Sequence, residues 1–304
     1  MIVYNSIFDV LPKRKLTQDS REKGGIYNLA GVLKINFSIY VWMLLGASIQ
    51  ALAVFLFSSG QYVLLISTLG LVTMMAKTLM QANGILPNPY LDNVIPGRTT
   101  ALVPNEESGE ITETSSRKIA ILHLGAKSNH PYGMFAPQFR KVGSYLAEMN
   151  RALDRGEVKG FLGQTTFSRT DGRGAPELVL LSYWESTEAL WDFAHNNEAH
   201  TAAWKWWDRE IKLNGCVGIN HEIFEADAKH WENIYINFQP TMMGATTFVV
   251  KDGKKIQGGV VEDKYISPLV DARRGPLAKS SVRMGRPVTV HDQKRAENGL
   301  PNYE

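Results

Sequence analysis

The stretch HTAAWKWWDREIKLNGCVGINHE, residues 200–222, places a histidine and three tryptophans on one expected helix and a second histidine on the strand that follows. Imidazole ordinarily titrates near neutrality, so a partly desolvated histidine beside an apolar pocket can accept a proton at physiological pH. His200, Ala203, Trp204, Trp207 and Ile211 recur at helical spacing and form one stripe. Tryptophans so spaced are ordinarily core, and a histidine heading them is ordinarily a satisfied core group. The other reading is the lining of a site for an oxidisable aromatic or polyene molecule. His221 shares its strand parity with Val217, Ile219 and Ile223 and so projects from an apolar face, which makes it the stronger candidate base. Glu222 points to the opposite face, and a His221–Glu222 dyad is not expected.

Other chemistries find little support. His195 lies five residues before His200, roughly 140° around an ideal helix, which is poor for shared metal ligation. His123, His130 and His230 form no spaced ligand set, and HEIFE at 221–225 lacks the second histidine of a zinc-protease motif. A single cysteine, Cys216, excludes an intramolecular disulfide framework and a multi-thiolate zinc site. No glycine-rich phosphate loop is present. The formal charge of +3, with no dense basic run interleaved with aromatics, argues against a nucleic-acid partner. At 44% hydrophobic and 21% charged, the 304 residues have a globular composition.

The elements that must position these residues follow from periodicity. KIAILHL (118–124), GFLGQTTFS, ELVLLSYWE and CVGINHEIF are strand candidates. Phe139, Val142, Leu146, Met149 and Leu153 mark one helix between the first two. A second helix, capped by Ser186 or Thr187 and broken near Asn196 and Asn197, runs on to Leu213. The order is βαββαβ, an α+β ferredoxin-like domain. Residues 119–122 and 178–181 are continuously apolar, so both faces of the sheet need covering. Helices cover one; a second copy in a symmetric homodimer, or the chain after Tyr235, covers the other.

Residues 36–76 carry no charge and divide at 58–61 into two halves, each close to the roughly 20 residues of a spanning helix. Lys13, Arg14, Lys15, Arg21, Lys23 and Lys34 precede this hairpin and its turn has no charge, so both termini are expected in the cytosol, with the endoplasmic reticulum as the membrane. The expected divisions are a basic segment at 1–34, the transmembrane hairpin at 35–82, a Pro/Gly-rich linker at 83–116, the ferredoxin-like domain at 117–245 and a loosely ordered basic tail at 246–304 whose arginines and lysines touch anionic headgroups.

LVLLSYWESTEALWDFAHNNEAHTAAWKWW and VGINHEIFEADAKHWENIYINFQPTMMG, with Tyr183 and Trp184, the His200–Trp204 spacing, Gly218 with His221 and Glu222, Tyr235, and Pro240 with Gly244, resemble the monooxygenase-like domains of the dimeric α/β-barrel superfamily. These are related to antibiotic-biosynthesis monooxygenases and to tailoring oxygenases of fungal secondary metabolism. The resemblance spans about 117–245. It implies a pocket between the helices and the sheet in which His200 and His221 face one cavity. It also implies oxygen insertion without a metal or flavin into a lipophilic polyketide or terpenoid, with O₂ and membrane lipid as the other partners. His221 is then the base, His200 its catalytic companion, and Trp204, Tyr235, Trp207 and Tyr183 the substrate-lining residues. Haem is the alternative cofactor, because aldoxime dehydratases share the superfamily fold, and a non-catalytic scaffold or lipophile carrier is the third reading.

Overall fold

The computed structural model of the chain describes residues 2–11, 29–57, 60–156, 158–170, 174–211, 215–250 and 264–297. The basic residues between 13 and 23, Ser58 and Ser59 of the hairpin turn, Leu213 and the tail residues 251–263 lie outside this set.

Among the described residues three helices come first: α1 (Leu29–Asn36), α2 (Ile39–Leu56) and α3 (Gly60–Ala82). The stretches Ile39–Leu56 and Tyr62–Ala82 are long and apolar enough to cross a membrane, and neither is buried against the rest of the protein. A strand, β1 (Ile95–Ala101), then leads into the βαββαβ unit. That unit consists of β2 (Ile119–Ser128), α4 (Pro137–Asp154), β3 (Phe161–Thr170), β4 (Pro176–Trp184), α5 (Thr187–Asn196), α6 (Glu198–Trp206) and β5 (Val217–Ala226). Its sheet is antiparallel in the order β3-β4-β2-β5, the ferredoxin-like arrangement expected of an α+β chain.

Local chemistry explains the helix boundaries. The Ser186 hydroxyl accepts from the Ala189 N–H (3.2 Å) and caps α5. The Asn197 side chain accepts from the His200 N–H (3.1 Å), so the expected break is a cap that ends one helix and starts another on a new axis. One turn of π-helix, Trp207–Ile211, continues α6.

Strand alternation sorts the sheet into two faces. Leu122, Leu124, Ala126, Leu180, Ser182, Trp184, Ile219, His221 and Ile223 face the helices. Ile119 and Tyr183 turn to the far face and join a buried cluster with Ala101, Val103, Leu162, Met243, Phe248 and Leu269. Burial of each large aliphatic, Phe or Met side chain among them contributes roughly 1.5–3 kcal/mol.

The far face is thus covered in part by the chain itself, through β1, β6 (Tyr235–Phe238), β7 (Phe248–Val250), β8 (Lys264–Ile266) and β9 (Leu269–Asp271). These form a β6-β1-β9 sheet and a β7-β8 pair. The segment 83–116, expected as a linker, therefore contains a core strand. The bulge between Ile95 and Arg98 holds Pro96 and Gly97, the latter at φ +85°, and so looks like a turn in sequence. The tail is likewise folded where described: α7 (Ser280–Arg283) carries a buried Arg283 whose Nη2 meets Glu232 Oε1 at 2.7 Å, and the last helix is α8 (Val290–Glu297). That arginine is committed to Glu232, not to a headgroup. Gly163 permits the cover to approach, because a Cβ there would stand 3.0 Å from Thr246 Cα.

Candidate active site

Between α4, α5–α6 and the helix-side face of the sheet lies a cavity of about 540 Å³. Its walls are aliphatic and aromatic, and among the described residues no Asp, Glu, Lys or Arg lines it. The polar groups fall into two sets. Asn150, Gln164 and Ser182 are buried at its inner end, where Gln164 Nε2 donates to Asn150 Oδ1 (2.8 Å) and Trp184 Nε1 donates to Ser182 Oγ (2.9 Å). His195, His200 and His221 line the other part, with His195 and His221 exposed at the mouth.

His221 pairs across the sheet with Leu124 and projects into this cavity, whereas Glu222 sits opposite His123 on the other parity. His200 enters from α6. Its ring packs edge-on against Trp204, 4.6 Å between centroids, and 6.1 Å from Phe193. Burial lowers its pKa from the ordinary 6.5 or so, and the nearby His195 and His221 add to this. Hydrogen bonding with the Ala194 backbone opposes the shift, and Nδ1 is buried with no partner among the described residues. His200 is therefore neutral at pH 7 and keeps an unclaimed ring nitrogen.

His195, placed by ideal-helix geometry poorly for sharing a metal with His200, stands 5.4 Å from Trp204 with its ring at 80°. The two imidazoles flank one indole because the Asn197 cap interrupts the helix between them. Trp207 also lines the cavity, as expected.

Tyr183 and Tyr235 do not line it. Tyr183 has the parity opposite to Ser182 and Trp184 and is buried on the far face, where loss of water pushes its phenol up to about 12 despite a contact with the Met243 backbone. Tyr235 packs there too; its hydroxyl accepts from the Gly244 N–H (3.0 Å), and burial holds its pKa well above the usual range. Both phenols stay protonated at neutral pH and serve as structural groups. The sequence reading also missed Asn150, Gln164 and Ser182. The available signal was Asn150 itself, one helical turn after Leu146 on the apolar stripe of α4.

A haem would find an imidazole here, but the described lining offers no lysine or arginine to pair with its two carboxylates, so the residues present do not fit that group. Among the described residues, no cluster of His, Cys, Asp or Glu is arranged to hold a metal ion.

Fold and site define a ferredoxin-like domain with an uncharged, histidine-bearing aromatic cavity. Residues 119–243, which contain every residue of the cavity lining, match the family model described as "Monooxygenase af470-like". A curated relative, "Monooxygenase af470" of Aspergillus fumigatus, is 28% identical over 203 residues, 66% of this chain and 70% of the relative. Among solved structures, an aldoxime dehydratase (OxdRE) is 16% identical with a TM-score of 0.35, over 49% of this chain and 39% of that one. SnoaB, a cofactor-independent oxygenase from Streptomyces nogalater, is 13% identical with a TM-score of 0.24, over 36% of this chain and 92% of that one.

Proposed function

We propose that the chain is a membrane-anchored monooxygenase that oxidises a neutral lipophilic secondary metabolite, a polyketide or terpenoid, with O₂ and without a bound cofactor. The observation that carries this is the meeting of His200 and His221, from two different elements, in one cavity whose described lining is free of charged side chains. An ionic substrate group would be buried there unpaired, at a cost of several kcal/mol, which selects a neutral molecule. Its oxygen atoms find hydrogen-bonding groups in Asn150, Gln164 and Ser182, and its rings pack on Trp204 and Trp207.

The chemistry follows from those groups. His221 takes the proton of an acidic C–H in an anthrone-like substrate, or the O–H of a phenol- or enol-like one, and burial in an apolar site favours a delocalised carbanion over a localised charge. The carbanion passes an electron to O₂, and the resulting radical pair combines to a peroxide anion that takes the proton back from His221. For an anthrone-like CH₂, the hydroperoxide then loses its remaining C–H proton and hydroxide, together one water, to leave a carbonyl, so that one CH₂ and one O₂ become one C=O and one H₂O. His200, held neutral, lines the cavity beside Trp204 without adding a charge to it.

The anchor is the α2–α3 hairpin, with both termini on the cytosolic side of the endoplasmic reticulum. The uncovered part of the far face, where Phe167 and Phe224 are exposed, supports a symmetric dimer, which sedimentation of the detergent-solubilised protein with and without Phe224→Lys tests. For the activity, anthrone and O₂ are supplied to protein shown by absorption and metal analysis to be colourless and metal-free. Anthraquinone formed in step with O₂ uptake supports the reading. A haem band accompanying all activity, or no turnover of anthrone, phenolic and enolic probes alike, rejects it in favour of a haem enzyme or a carrier.

A further inference from the structure

We infer that the cavity opens onto the bilayer surface, so that its substrate enters sideways from the lipid and not from water. The inference rests on the reading of α2–α3 as a membrane anchor and adds where the domain lies upon it.

The first observation is the attachment of the anchor to the domain. Val32 and Ile35 of α1 pack on the cluster that contains Ala126, Trp206 and Val217. At the end of α1 the Asn36 side chain accepts from the Met134 N–H (2.7 Å), and it lies so close to Gly133 that any Cβ there would collide with it. Phe37 then stacks on Phe135 and on Trp42, each with 6.1 Å between ring centroids. The first spanning helix begins at Ile39, three residues after Asn36. Three residues reach about 10 Å at most, so the start of the membrane segment is tied to this corner of the domain.

The second observation is what the corner holds. Ala126 pairs directly with Ile219 across the sheet, and both line the cavity. Ile219 is 44% exposed and Trp204 46% exposed, and both line the cavity with the exposed His221. Large apolar groups around an opening are costly to hydrate, whereas tryptophan is at home at the headgroup level of a bilayer. Val217, two residues from Ile219 and of the same parity, belongs to the cluster that seats α1. Mouth and anchor are therefore neighbours on one side of β5, and Phe224, 55% exposed, marks the opposite side of the same strand.

The test uses the full chain in phosphatidylcholine vesicles doped with alkyne-tagged phosphatidylcholine, with the photocrosslinker p-benzoylphenylalanine placed in turn at Tyr40, Ile219, Trp204 and Phe224. After illumination, lipid adducts are expected at Tyr40, and at Ile219 and Trp204 several-fold above Phe224. Labelling at Tyr40 with Ile219 and Trp204 no higher than Phe224 overturns the proposal while leaving the anchor intact. Absence of labelling at Tyr40 overturns the anchor itself, and the proposal with it. Trp204 serves as the second mouth position should the Ile219 variant fold poorly.

Discussion

The two faces of the β3-β4-β2-β5 sheet are made from alternate residues of the same strands, yet they have opposite characters. On the far face Tyr183, Leu162 and Leu269 are buried and Tyr235 is partly buried, its hydroxyl engaged by a backbone N–H. On the helix face the side chains stand back from one another around a cavity, and His200 keeps a buried nitrogen without a partner among the described residues. A filled face contributes stability through close packing, although His123 Nδ1 there also lacks a partner among the described residues. A hollow one gives up packing contacts and gains room for a ligand. Residue type alone does not separate the two, since each face carries aromatic and titratable groups.

Breaking the filled face should produce the largest change in stability. Leu269→Ala, at a position 1% exposed, should cost about 2–5 kcal/mol in urea unfolding while leaving turnover per folded molecule unchanged. A cost below about 1 kcal/mol would show that the tail cover is loosely packed. Gln164→Leu leaves the buried Asn150 oxygen without its donor and should cost roughly 1–3 kcal/mol. It should also raise KM for a ketone-bearing substrate, and an unchanged KM would remove the inner polar set from substrate recognition. Tyr235→Phe loses one hydrogen bond to the Gly244 N–H and should cost only about 0.5–1.5 kcal/mol with activity retained; a loss of activity would return Tyr235 to the site.

The smallest effect expected is on pH dependence. His200 has its pKa lowered in the folded protein, so the unfolded chain binds its proton more readily. Stability from this group is full above the ordinary value near 6.5 and declines as the pH falls below it. The melting temperature should therefore drop less steeply between about pH 7 and pH 5 in His200→Phe than in the wild type, and equal slopes would contradict a desolvated His200.

Much of this contrast was legible in the residues. Period-two and period-3.6 patterns locate the four strands and two helices, and parity alone puts His221 on the helix side and Glu222 on the other. The cover of the far face was not legible, because it is built from strands of three or four residues, too short to show a period, and from a longer strand whose period is broken by a bulge containing Pro96 and Gly97. That hidden cover explains the misplacement of Tyr183 and Tyr235: their partners come from β1, β9 and the turn at Met242–Ala245, outside any recognisable repeat. The approach of His195 to the indole beside His200 was not legible, because the angle between the two histidines follows ideal-helix geometry only where no break intervenes, and the Asn197 cap redirects the chain there.

The central claim is that His221, in the cavity, is the base for O₂ chemistry. It is tested most directly by O₂ uptake with anthrone for wild type and His221→Ala, compared at equal concentrations of folded, metal-free protein. The account expects turnover to fall by about 10²–10⁴-fold with the melting temperature nearly unchanged, since the side chain is exposed at the mouth. Undiminished turnover in the variant would contradict it.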